Sequence, residues 1–240
     1  MKRMLAVVAV LSLLAAAACA QLALRAARPA SAPARTEGAL AALGGLRSIA
    51  AEVVWFRADR LQDEGRFVEL AQLASTLAYL EPHTPEVWSH AAWNLAYNIS
   101  IMMPTPEDRW RWVHAAIRLL RDKGLAINPL EAELYRELAW MFELKLGTDL
   151  DSAADVYREK WREIVKDVER RGAWSELRME GAVVGEVRRG YGIDDVADPQ
   201  FSAVYWAHLG RVVATRKEDV LFLNEIIRQS RQIYFKKKGK

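Results

Sequence analysis

Four histidines, one cysteine and scattered carboxylates are the residues of this chain that could bind a metal or attack a substrate. His83, His90, His114 and His208 fall on unrelated segments, so each reads as a turn or surface residue and not as a ligand or base. Cys19 stands alone, which excludes an intramolecular disulfide and any Cys/His cluster with zinc or haem spacing. No glycine-rich phosphate loop, H-E-x-x-H or G-x-S-x-G segment occurs. The carboxylates of Glu107-Asp108 and Asp194-Asp195 have no partner for acid–base work in the sequence. The expectation is a protein that is not an enzyme and carries neither metal nor cofactor. What remains is the chemistry of contact: nine tryptophans, more than composition alone would suggest, in a chain that also carries many carboxylates.

These residues need a scaffold. A chain of 240 residues, 52% of them hydrophobic, can bury a full core and reads as one domain with appendages. The net charge is only +3, with much of the basic excess at the two ends. Residues 1–24, "MKRMLAVVAVLSLLAAAACAQLAL", open with Lys2 and Arg3 and continue as an apolar run broken only by Ser12 and Gln21, the pattern of a membrane-directed segment. At about 1.5 Å per residue such a helix just crosses a hydrocarbon core of about 30 Å. Three routes are open: a retained anchor, cleavage after Ala18-x-Ala20 before Gln21, or lipidation at Cys19, whose preceding alanines resemble a bacterial lipoprotein site without its usual leucine. Lys2 and Arg3 favour a body facing out of the cytoplasm, while Arg25, Arg28 and Arg35 oppose that orientation. Residues 25–37 form a Pro/Ala linker stiffened by Pro29 and Pro33.

From there the chain repeats itself. Val54, Ala58 and Leu61 return 34 residues later as Trp88, Ala92 and Leu95. A shift of 47 overlays Pro82, Trp88, Ala92 and Leu95 on Pro129, Tyr135, Ala139 and Phe142, which implies an insertion of 13 residues, "NISIMMPTPEDRW", inside the middle helix pair. Small Ala58, Ala92 and Ala139 let helices approach. Gly65 takes the positive φ that ends a first helix, and Pro82 and Pro129 end second helices because proline has no N–H. Residues 38–150 therefore read as helix pairs and 151–240 as a helical extension, giving an all-α chain.

Val54, Ala58, Gly65, Phe67, Leu80 and Pro82, followed by Trp88, Ala92, Leu95, Ile127 and Pro129, resemble the tetratricopeptide repeat. A third unit opens with Tyr135, Ala139 and Phe142 and reaches Gly147 without a closing proline. The resemblance implies a solenoid of about three antiparallel helix pairs with a concave groove lined by the first helix of each. Carried over by register, the groove positions are Glu52, Trp55, Asp59, Gln62 and Asp63, then Glu86, Ser89, Trp93, Ala96 and Tyr97, then Glu133, Arg136, Trp140 and Glu143. Such an acidic, aromatic lining suits a basic or apolar extended peptide of a protein partner and argues against nucleic acid. The competing reading places Trp55, Trp93 and Trp140 between helices. The reading that follows is a membrane-tethered scaffold docking a partner in a bacterial cell envelope. Its alternative is a secreted or lipid-anchored enzyme or ligand-binding subunit, with the insertion as a lid.

Beyond the repeats, Asp151 to Gly172 reads as a long helix, Gly181 to Asp195 as a glycine-rich loop, and Asp198-Pro199 as the cap and first turn of another helix. Residues 218–240 read as an amphipathic capping helix ending in lysines, with attraction to anionic lipid as a further reading of its tail.

Overall fold

The computed structural model describes residues 80–239 without a break and, ahead of them, residues 53, 54, 56, 57, 60, 61, 63–66, 69, 72 and 73. The membrane-directed segment, the linker and Cys19 lie outside the described residues, as do Glu52, Trp55, Ala58, Asp59, Gln62 and Phe67. The described residues all fall within one contact unit, Leu46–Lys240. Among them regular structure is helical and no strand occurs.

The first expected turn is present in detail. Gly65 sits at φ +68°, and the amide of Arg66 donates to the carbonyl of Leu61 at 2.8 Å, closing the helix end with a left-handed residue. Gly172 ends a later helix the same way at φ +65°, with Ala173 N donating to Val168 O at 3.0 Å.

From residue 85 onward there are seven helices. Helix α1, Pro85–Trp93, continues through a π-helical segment, Asn94–Ile99, into Ser100–Met102. Helix α2, Pro106–Arg118, continues through a second π segment, Leu119–Gly124, into Leu125–Ile127. Helix α3, Ala132–Trp140, ends in a third π segment, Met141–Leu146. Then come α4 (Ala154–Arg171), α5 (Gly181–Tyr191), α6 (Pro199–Val213) and α7 (Lys217–Lys238). Starts follow side-chain capping where the chemistry allows it. Thr105 accepts from Asp108 N ahead of Pro106, and Asp198 accepts from Gln200 N ahead of Pro199.

Two sequence expectations are corrected. The proposed 13-residue insertion does not form a separate excursion: Asn98–Met102 extend α1, Pro106–Trp110 begin α2, and only residues 103–105 turn between them. The glycine-rich stretch from Gly181 is helix α5, because Val184 and Val187 bury one face against the core, and that burial outweighs the roughly 1 kcal/mol that each internal glycine costs.

α1 and α2 form an antiparallel hairpin, with α3 packed on both; Gly124 of α2 gives Trp88 room, since a Cβ there would lie 3.4 Å from Trp88 Cβ. One contact occurs twice. Trp88 Nε1 donates to Pro82 O and Tyr135 Oη to Pro129 O, each at 2.9 Å and each six residues after its proline. α4 lies against α2 and the end of α3. α6 packs along α3 in the opposite direction, with Gly210 against Tyr135 at one end and Gln200 against Gly147 at the other. α7 returns along α6 and also touches α3. The core holds Tyr157, Trp161, Phe142, Phe201 and Tyr205, with Trp161 Nε1 donating to Ser202 Oγ at 3.0 Å. No described helix is long and apolar enough to cross a membrane.

Candidate docking groove on helices α1 and α3

Helical spacing places Glu86, Ser89, Trp93 and Tyr97 along α1, and Glu133, Arg136, Trp140 and Glu143 along α3. The structure brings the aromatic members together. The Trp93 and Tyr97 rings stack at 5.5 Å with planes 27° apart, and Tyr97 meets Trp140 of the neighbouring helix at 6.3 Å. Trp93 remains 39% exposed and Trp140 half-buried, while Trp88, earlier on α1, is buried in the core. This row of three rings crosses from α1 to α3. Glu86 is exposed in the first turn of α1, Glu133 is half-buried in the first turn of α3, and Ser89 lies half-buried between Glu86 and Trp93. Ala96, by contrast, is fully buried. Asp63 is exposed at the end of its helix, and nothing places it with the row.

The α3 end of the row is partly occupied by the chain itself. Arg136 pairs with Asp219 of α7 at 3.1 Å, lies 5.4 Å from the Phe222 ring, and pairs with Glu137 at 3.3 Å. Glu143 departs from its expected place on an open lining: only 2% of it is exposed, and its Oε1 has no hydrogen-bond partner. Burial raises the Glu143 carboxyl to about 7, and Glu225 of α7 adds to the rise. Burial also raises the Tyr97 hydroxyl, with Glu137 and Glu143 contributing, and that oxygen too is without a partner.

Sequence reasoning missed a second set of residues beside the row. Lys145, 3% exposed, places Nζ 2.6 Å from Asp151 Oδ2 and 5.0 Å from the centre of the Tyr97 ring. Asp151 also accepts from Tyr157 Oη at 3.1 Å and from Ala153 N at 2.9 Å, and Arg109 Nη1 lies 3.5 Å away. Burial raises the Asp151 carboxyl, but Lys145, the Ala153 amide and Tyr157 outweigh it and hold it below the usual range. Tyr97, Ile101, Arg109, Lys145 and Leu150 line a depression of about 340 Å³ over this cluster. The available signal was a lysine among apolar neighbours in "FELKL" with an aspartate six residues on, which only a packed structure turns into a pair.

Tyr97, Glu143 and Lys145 all sit in π segments, where the wider turn shifts a side chain off the α-helical register; such segments recur at functional sites. The arrangement offers partly exposed aromatic area flanked by charge. Among the described residues no group of three or more His, Cys, Asp or Glu could hold a metal ion. Compared with protein families, curated proteins and solved structures, the chain matches none.

Proposed function

We propose that this chain is a membrane-tethered helical scaffold of the tetratricopeptide-like kind, which docks an extended peptide or subunit of an envelope complex across α1 and α3. The observation that carries the reading is the Trp93–Tyr97–Trp140 row, formed by rings from two helices and left partly open to solvent. Rigid aromatic rings supply contact area at low entropic cost and dominate binding hot spots. Glu86 and Glu133, at equivalent places in the first turns of α1 and α3, favour a basic peptide. The apolar segment at residues 1–24 supports the tether.

The test separates docking from core packing. Trp93→Ala and Glu86→Lys are each compared with wild type for melting temperature and for recovery of the partner from solubilised membranes. Truncating a hot-spot tryptophan costs about 2 kcal/mol or more of binding, whereas a core tryptophan costs about 3–5 kcal/mol of stability. Retained melting with lost recovery supports the groove. A collapsed melt for Trp93→Ala with normal recovery for Glu86→Lys sinks it. The intact mass of the mature chain tests the tether: a product beginning at Gln21 removes it, and a diacylglyceryl mass on Cys19 replaces the helix by a lipid.

A further inference from the structure

The ends of α5 and α7 meet. Gly192, just past α5, closes on Phe235, where an added Cβ would lie 3.5 Å from the ring. Arg231 Nε donates to Tyr191 O at 3.0 Å, and Arg211 Nη1 donates to Tyr191 Oη at 3.4 Å. Arg188 and Arg189 occupy the last turn of α5, and Lys236 and Lys238 the last turn of α7. Three helices thus contribute cations to one junction. The acidic groups placed there are Asp194, 3.7 Å from Lys238, Glu186, 3.6 Å from His208, and Asp195, which acts on Lys238 and pairs with Arg162 at 3.5 Å.

Exposed cations without a described carboxylate partner also occur singly, as at Lys123, Lys166, Arg178 and Lys217, whereas here several gather at one junction. Arg66, Arg111, Arg170, Arg171 and Arg228 are exposed and each pairs with a carboxylate close in sequence. Arg188, Arg189, Arg211 and Arg231 are equally exposed, yet no described carboxylate lies within ion-pair distance of them. Phe235, 45% exposed, stands among them with Arg231 6.0 Å from its ring, and Val212, 74% exposed, follows Arg211 in the last turn of α6. Part of the charge answers the negative ends of two converging helices. Arg211, in the last turn of α6, and Arg231, which donates to the last carbonyl of α5, answer the same need, but that need does not account for the exposed apolar groups or for the gathering of so many cations with few acids.

We propose that this junction is a docking surface for an anionic lipid bilayer. Guanidinium groups bind headgroup phosphates, often bidentately, while Phe235 and Val212 enter the headgroup layer and leave water. Each basic residue near an anionic surface contributes about 1 kcal/mol, roughly fivefold in affinity. Nucleic acid would use the same cations, but the junction offers a single exposed ring, packed edge-on against Tyr234, and not the series of stacking platforms that a strand requires. The inference rests on the tethering part of the proposed function only for nearness to a bilayer, and it does not involve the aromatic row.

The experiment uses the full chain in nanodiscs of phosphatidylcholine, with or without phosphatidylglycerol, and follows hydrogen exchange of peptides covering residues 186–192 and 228–239. Slower exchange in the anionic discs, reversed by high salt and by the Arg211→Glu/Arg231→Glu pair, is the expected result; reversing two charges should weaken the contact at least about 25-fold. An Arg211→Lys/Arg231→Lys pair should retain the protection, and a circular-dichroism melt of each variant shows whether it folds. Equal exchange in both discs, or protection that ignores salt and charge, overturns the proposal. Stronger protection by a single-stranded oligonucleotide than by anionic discs overturns it in favour of nucleic acid. A chain that leaves phosphatidylcholine discs but remains with anionic ones at low salt removes the tether and keeps the surface.

Discussion

Glu143 and Lys145 lie two residues apart in the same π segment of α3, are almost equally buried, and have opposite fates. On the side facing α4, Lys145 meets Asp151 at 2.6 Å within a cluster that also includes Tyr157 and Arg109. On the side facing α7, Glu143 meets no donor at Oε1 and feels the like charge of Glu225. The first side is a satisfied ion pair that locks the loop after α3. The second holds a carboxyl that stays comfortable only when protonated. Burial alone therefore does not decide what a charge contributes; the supply of partners does.

The largest expected effect comes from breaking the satisfied side. Lys145→Met leaves Asp151 buried beside Tyr157 with only Arg109, 3.5 Å away, as a cation, and should cost about 3 kcal/mol in chemical denaturation. Lys145→Met/Asp151→Asn, which removes both charges, should recover much of that loss. Equal loss in the single and double variants would show that the pair is not what holds this side.

Next, at a similar size, is the orphan side. A carboxyl raised to about 7 in the folded chain binds more protons there than when unfolded, so its contribution favours the fold at low pH and is lost as pH rises from about 4.5 through 7. Wild type should lose about 3 kcal/mol over that interval relative to Glu143→Gln. Taking the difference between the two chains cancels His114, which titrates in the opposite sense: burial first, then Arg121 and Arg118, lower it to about 4, so it weakens the fold as pH falls. Parallel stability–pH curves for wild type and Glu143→Gln would remove the contrast between the two sides.

A smaller effect tests the frame that carries both. Ala92, fully buried in α1, should tolerate no larger side chain, and Ala92→Leu should lower stability by about 1–3 kcal/mol. A neutral or stabilised melt would show slack in α1, and with it a looser aromatic row.

What could be read from the sequence was local. Gly65, Gly172 and Asp198-Pro199 carry their conformations in their own chemistry, and each ends or begins a helix where the residues demand it, whereas the equally local Thr105-Pro106 cap was passed over inside the supposed insertion. The proline-to-ring interval was visible too, as Pro82–Trp88 and Pro129–Tyr135. Helix α5 was hidden because its glycines argue for a loop until α6 supplies a surface for Val184 and Val187. Of the candidate site, Trp93, Tyr97 and Trp140 were named one by one from register, but that their rings meet needed the packed helices. The cover over Arg136 and Glu143 did not follow from register either, because Asp219 and Glu225 come from a helix some eighty residues later, and no local pattern announces where it returns.

The carbonyl of Pro82 accepts two hydrogen bonds, from Trp88 Nε1 at 2.9 Å and from Asn128 Nδ2 at 2.8 Å. One oxygen thus fastens the opening turn of α1 to the closing turn of α2, across almost the whole span of the hairpin. Fraying at either end has to break at the same atom, so the two helices should open as one cooperative unit and not peel apart from their termini. Tension carried along the chain from its N-terminal side would meet this fastening as the first clasp of the hairpin, ahead of the aromatic row, and the row would keep its shape until the clasp gives way.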